Sequence, residues 1–221
     1  MNNTQFHRHD LVWLNPGIDA GLFATVNQAD QARSWVKQGF PLVVARQSDT
    51  HTKESNQIIL GFTLPSAPTR TRVLLHANVS AIIRYSRPLL LQDAMEGAPE
   101  HWRDGLEKLY TIFEKTGTLA RVYGSFSSQI FTGMSYLDEA SDLDLLLECR
   151  KETRLRELLT ELESFPLSLP RIDGEILVPS GWAVAWRELA VALRTGTPRE
   201  VLAKSDCDTA LIPIQNFIHA F

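Results

Sequence analysis

From Asp10 to Ile83 the apolar positions fall in short aliphatic or β-branched runs bounded by turn residues, the pattern of strands. The runs are residues 10–14, 41–45, 57–64, 72–76 and 79–83. One helix is expected among them, over residues 27–38, with Asn27 or Thr25 as its N-cap. The polar stretch 47–56 reads as a hairpin loop.

Beyond residue 99 the period changes. Apolar residues at 102, 106, 109, 110 and 113 make a helical stripe over 102–115, ended by Thr116-Gly117. A short strand, 119–123, runs into Gly124-Ser125, and a short helix over 126–131 stops at Thr132-Gly133. Residues 141–148 alternate as a strand. Residues 152–164 form an amphipathic helix with leucines at 155, 158, 159 and 162. A strand over 170–178, a helix over 185–194 and strands at 201–204 and 209–212 complete the chain. Helices alternating with strands around a mixed sheet indicate a catalytic-type α/β arrangement. The whole is expected to be α+β, a strand-rich N-terminal domain over 1–95 followed by an α/β domain over 96–221.

Charge sharpens that division. Residues 1–98 carry nine Lys/Arg against seven Asp/Glu, and residues 99–221 carry thirteen against nineteen. The shift falls near Met95–Pro99, a Gly- and Pro-bearing stretch that reads as a connection. The net charge of −4 argues against a general nucleic-acid binder. No apolar run approaches the roughly 18 residues of a membrane helix. The first ten residues lack the apolar region of a secretory signal. Two cysteines, Cys149 and Cys207, build neither a disulfide framework nor a zinc site unaided. A soluble cytoplasmic protein is expected.

The chemistry-bearing unit is Tyr123-Gly-Ser125, then Asp142-Leu-Asp144, then Arg171-Ile-Asp173. Residues two apart on a strand share a face roughly 6.6 Å apart, so Asp142 and Asp144 project together while Leu143 and Leu145 face the core. Carboxylates so placed suit a pair of divalent cations used in phosphoryl chemistry. A Gly-Ser pair between strand and helix adds a phosphate site: glycine admits close backbone approach, helix N–H groups face the anion, and the Ser125 hydroxyl donates once more. Asp173 on a neighbouring strand can complete the ligand set and accept a hydroxyl proton. Glu175 shares its face, and alternation alone does not choose between them. An internal control exists in Asp206-Cys-Asp208, which lacks an upstream Gly-Ser and reads as a solvated turn.

This constellation resembles the polymerase-beta-type nucleotidyltransferase superfamily. Further segments narrow the resemblance to the malonate decarboxylase holo-acyl-carrier-protein synthases, or phosphoribosyl-dephospho-CoA transferases. They include Arg8–Leu14, Gly39–Arg46, Arg121–Ser125, Thr132-Gly133 with Tyr136-Leu137, Ser141–Leu146, Pro170–Glu175, Ala183–Leu189 and Val201–Lys204. The resemblance implies a donor, 2′-(5″-triphosphoribosyl)-3′-dephospho-CoA, and an acceptor, a serine of the apo acyl-carrier subunit of malonate decarboxylase. It implies Mg²⁺ or Mn²⁺ on Asp142, Asp144 and Asp173, and it favours Asp173 over Glu175 as the third carboxylate. Gly124 and Ser125 would hold the outgoing phosphates.

Around this centre, Arg121 and Arg187 are candidate triphosphate clamps, because guanidinium forks match phosphate oxygens. Lys204 is a candidate phosphate ligand. Each has a simpler reading as the partner of a local carboxylate or as solvated charge. Trp182 and Trp186 read as core filling before adenine platforms, and Cys149 as buried and inert. His7 and His9 read as part of a mobile N-terminus. Arg70, Arg72, Arg84 and Arg87 would make a patch for an acidic carrier if their strands pair. Two other functions compete: a metal-dependent nucleotidyltransferase using an ordinary nucleoside triphosphate, and a non-catalytic carrier-binding module.

Overall fold

The computed structural model describes residues 6–17, 28–47, 56–65, 70–150, 152–166 and 170–219. The chain divides into two compact units. One takes residues up to Pro88 together with Phe131–Ser135 and Asp206–Asp208, and the other takes the remainder.

The N-terminal unit is built on an antiparallel sheet of β1 (Leu11–Leu14), β2 (Leu42–Val44), β3 (Gln57–Leu64), β4 (Thr71–Asn78) and β5 (Ile82–Ser86), in the order β4-β3-β2-β1-β5. Strict alternation on β3 and β4 buries Ile58, Leu60, Phe62, Val73, Leu75 and Ala77 on one face. Each large side chain so buried contributes roughly 1.5–3 kcal/mol. Helix α1 (Ala29–Lys37) lays Trp35 on the ring of Phe62 at a centroid distance of 4.4 Å, and the Trp35 indole donates to the Pro41 carbonyl at 2.8 Å. Both N-cap candidates, Thr25 and Asn27, and most of the expected hairpin loop lie outside the described residues.

Three expectations for this unit change. Residues 79–81 form a 3₁₀ turn, and the strand starts at Ile82, because the Asn78 carboxamide accepts the Ser80 N–H at 2.9 Å and bends the chain. The arginines form no single patch: β4, with Arg72, and β5, with Arg84, lie at opposite edges of the sheet. Arg84 packs over the Trp13 ring at 4.3 Å, and Arg87 reaches buried Asp10 at 3.3 Å. His7 is held in place, its Nδ1 2.7 Å from Asp206 Oδ2.

The second unit carries a mixed sheet, β12-β11-β10-β9-β8-β7-β6, comprising β6 (Leu89–Leu90), β7 (Leu119–Val122), β8 (Leu143–Glu148), β9 (Ile172–Leu177), β10 (Ala183–Ala185), β11 (Glu200–Lys204) and β12 (Thr209–Pro213). Only the β8–β9 ladder is parallel among these pairs. The helices are α2 (Leu91–Ala94), α3 (Arg103–Thr116), α4 (Gly124–Thr132), α5 (Glu152–Ser164), α6 (Trp186–Thr195) and α7 (Ile214–Ile218). The stretch Met95–Trp102 forms two 3₁₀ turns leading into α3. Most of the predicted stripe is buried: Trp102, just before α3, and Leu106, Leu109 and Phe113 on it join Leu155, Leu158, Leu159 and Leu162 of α5 in one core, with Tyr110 partly buried against it. Gly117, at φ +64°, closes α3 in the left-handed conformation a terminating glycine adopts. Strand β6 and helix α7 are too short to leave a periodic signal.

Candidate active site

The site forms where β7, β8 and β9 meet α4. Strand β7 ends at Val122, and the Tyr123 N–H donates to the Asp144 carbonyl at 3.1 Å, which holds the β7–α4 turn against the start of β8. Gly124 makes that turn at φ +67°. A Cβ there would stand 1.9 Å from Asp144 Oδ2, so this backbone lies directly against the carboxylate and no side chain fits between them. Ser125 follows, half-buried, in the first turn of α4. Phe126, fully buried edge-on to Trp102 at 5.5 Å, anchors that turn to the core.

Parallel register sets the carboxylates. Asp144 is the direct partner of Asp173, with Leu143 opposite Ile172 and Leu145 opposite Gly174. Partners in register share a face, so Asp144 and Asp173 point the same way while Leu143, Leu145 and Ile172 enter the core. Gly174 fixes how closely these strands approach: a Cβ on it would stand 2.0 Å from the Leu145 carbonyl oxygen. Asp173 Oδ1 accepts the Gly174 N–H at 2.9 Å. Asp142 precedes β8, on a turn in which Ser141 Oγ donates to Asp138 Oδ1 at 2.9 Å.

Arg171 binds Asp142 through two nitrogens, with Nε 2.7 Å from Oδ1. Its pKa is raised first by that hydrogen bond and the Asp142 charge, then by the charges of Asp173 and Asp144. One guanidinium therefore lies in the field of all three carboxylates. Sequence reasoning quoted Arg171 within a motif but gave it no role. Its position two residues before Asp173, hence on the same face, was the available signal.

The other candidates are drawn elsewhere. Arg121 Nε binds Glu148 Oε1 at 2.8 Å, and Glu148 lies four residues beyond Asp144, roughly 13 Å along β8. Lys204 Nζ binds the buried Glu175 at 2.8 Å, so the second acid of β9 is a structural partner of β11. Arg187 lies over the ring of Trp186 at 4.4 Å and donates to the Ile172 carbonyl at 2.9 Å. Trp186 is core, 3% exposed, and Cys149 is buried. A cavity of about 830 Å³ opens beside Asp142 and Arg171 and runs between α5 and α6.

Family models match most of the chain. The phosphoribosyl-dephospho-CoA transferase MdcG C-terminal domain matches residues 90–214, and the N-terminal domain of the same family matches residues 7–88. The chain belongs to the phosphoribosyl-dephospho-CoA transferase family. Members of that name from Xanthomonas campestris pv. campestris strain 8004 and Xanthomonas euvesicatoria pv. vesicatoria are 35% and 36% identical, each alignment covering 93% of both chains. A Bradyrhizobium diazoefficiens relative of the same name is 33% identical over 96% of this chain and 92% of its own. No solved structure matches. Family membership makes the chain a transferase enzyme. No helix among the described residues is long and apolar enough to cross a membrane.

Proposed function

We propose that this chain moves the phosphoribosyl-dephospho-CoA group from 2′-(5″-triphosphoribosyl)-3′-dephospho-CoA to a serine hydroxyl of the apo acyl-carrier subunit of malonate decarboxylase. The observation that carries this reading is Asp144, in register with Asp173 and pressed against the Gly124 backbone at the head of α4. That arrangement brings an anion-binding helix start and two acids to one point, which is what displacement at a phosphorus requires.

Among the described residues no three His, Cys, Asp or Glu are gathered into a ready-made cation cage. Mg²⁺ does not need one, since it is ordinarily held by one or two carboxylates together with substrate phosphates. Asp144 and Asp173 supply such a pair, and Asp142 joins them when Arg171 releases it. Bound there, Mg²⁺ or Mn²⁺ would neutralise charge on the triphosphate.

The remaining chemistry falls to the chain's own groups. The N–H groups at the start of α4 and the Ser125 hydroxyl hold the departing phosphates. Asp173 takes the proton of the acceptor serine as its oxygen bonds to the α-phosphorus. The bond from that phosphorus to the bridging oxygen breaks, and diphosphate leaves with the electron pair. Arg171, freed from Asp142, is placed to meet phosphate oxygens.

The test is to incubate the protein with Mg²⁺, the triphosphoribosyl donor and apo carrier, and to weigh the carrier by mass spectrometry. The expected gain is one phosphoribosyl-dephospho-CoA group. A carrier labelled only when ATP is supplied would assign the chain to ordinary nucleotidyl transfer. A carrier that is bound but never labelled, with no diphosphate released, would leave a binding module.

A further inference from the structure

The cavity beside Asp142 is assigned to nothing by the chemistry at the phosphorus. It runs from the start of β9 to the facing sides of α5 and α6, and Asp142 and Arg171 form one edge of it. Its volume of about 830 Å³ falls in the range of sites that enclose a small organic ligand. Leu162, Phe165, Ala190 and Val191 give it an apolar wall.

The same lining carries a cation, Arg187, one turn before Ala190 and Val191 on α6. The Arg187 guanidinium is backed by the Trp186 ring at 4.4 Å, and its Nη2 is tied to the Ile172 carbonyl at 2.9 Å. Trp186 is itself fixed by its indole N–H, which donates to the same carbonyl at 3.2 Å. A planar cation held by its neighbours loses little freedom when a ligand arrives, and it offers both a stacking face and N–H donors for phosphate. Glu163, an acid on the lining, is engaged by Arg194 Nε at 3.3 Å.

We propose that this cavity seats the adenosine diphosphate portion of the donor, with the purine against the apolar wall and the diphosphate on Arg187. The inference rests on the transfer reading above. A donor whose reacting phosphorus lies at Asp144 and Gly124 carries a large unreacting body, and this cavity is lined by Asp142 and Arg171, which neighbour that point. The pantetheine arm has neither ring nor charge and makes no use of a fixed planar cation, so the nucleotide end is the part that fits.

The experiment is calorimetric titration with dephospho-CoA in the absence of divalent cation, which reads the cavity without the reaction. Loss of one charge-assisted contact predicts that Arg187→Ala weakens binding by about tenfold or more, while Asp144→Asn stays within about twofold of the parent, since this probe has no triphosphate. Val191→Trp, a change at a position 42% exposed, should narrow the cavity and weaken binding without disturbing the core. Adenosine diphosphate should compete with dephospho-CoA, and pantetheine should not. Unchanged binding in both Arg187→Ala and Val191→Trp would overturn the assignment, as would competition by pantetheine alone. Failure of the two readings is distinguishable. A parent that labels the carrier but binds dephospho-CoA independently of Arg187 and Val191 loses only the cavity assignment. A parent whose binding depends on both residues but which never labels the carrier loses only the transfer reading.

Discussion

The chain contains two Asp-x-Asp pairs, and their surroundings give them different work. Asp142 and Asp144 stand at the start of β8, with Asp173 as the register partner of Asp144 and the Gly124 backbone against its carboxylate. Asp206 and Asp208 belong to a turn in the other unit. There Asp206 receives the Arg8 N–H at 2.8 Å and the His7 ring at 2.7 Å, and its carbonyl accepts the Gln47 N–H at 2.8 Å. In the first pair, Asp144 is aimed by a parallel ladder at a helix start, and Asp142, just before the strand, is held by Arg171. The second closes a loop onto the N-terminal segment. Spacing puts two acids near each other; what stands opposite them decides whether they meet a ligand or the protein itself.

The sharpest way to break this comparison is to exchange carboxylates for amides in both pairs. Asp144→Asn should reduce transfer to background, and its melting temperature in EDTA should not fall, because removing one of several close like charges relieves repulsion. Asp208→Asn should leave transfer at the parental rate. Near-parental turnover in Asp144→Asn would end the assignment of the first pair.

Next in size is the contrast along β9. Asp173→Asn should cost about a hundredfold or more, within the range for a positioned proton acceptor, and Glu175→Gln about tenfold or less. Steady-state rates at saturating donor decide between them. A Glu175→Gln enzyme slower than Asp173→Asn would reverse their roles, and the Lys204 contact would then belong to the chemistry.

Ser125→Ala removes one donor to the departing phosphates and should slow transfer by about ten- to a hundredfold, the equivalent of a charge-assisted bond of roughly 1.5–3 kcal/mol. Single-turnover rates equal to the parent's would remove Ser125 from the site.

In the second pair the expected signal is stability. Asp206→Ala should lower the unfolding free energy by about 1 kcal/mol through the lost Arg8 and His7 contacts, read by urea denaturation, with transfer unaffected. The smallest effect concerns Asp10, close by in sequence to that anchor. Burial pushes its carboxyl up, against the His7 N–H, the Arg87 charge and the His7 charge, which pull it down, and Asp206 adds to the rise. The folded chain therefore holds this proton more tightly than the unfolded chain. The stability it contributes is full below the ordinary carboxylate range and declines as pH rises through the raised native value. Asp10→Asn should lack that decline in denaturation midpoints compared across the acid range. An identical pH profile in parent and variant would remove Asp10 as its source.

Much of this was legible in the sequence because it is local. The stripe on α3, the leucines of α5 and the strand alternation around Asp144 and Asp173 are periodic, and the periods survive folding. What escaped depends on partners distant in the chain. Nothing near Arg121 announces Glu148. The arginines of β4 and β5 read as neighbours only until the sheet order separates them. Arg171 was missed for another reason: a cation beside three acids looks like incidental charge until its guanidinium is seen closing on Asp142.

Gly124 and Gly174 lie within two residues of the acids in sequence or register, yet a genetic screen would sort them differently. At Gly124 the obstacle to a side chain is Asp144 itself, the acid of the site, so replacements there should displace that acid and yield folded protein without activity. At Gly174 the obstacle is the Leu145 carbonyl, part of a neighbouring strand that cannot yield without parting the ladder. Its replacements should vanish from any library at the stage of soluble expression. A survey scored on activity alone would count both as essential, and only one scored on abundance as well would reveal that the first protects a reaction and the second a sheet.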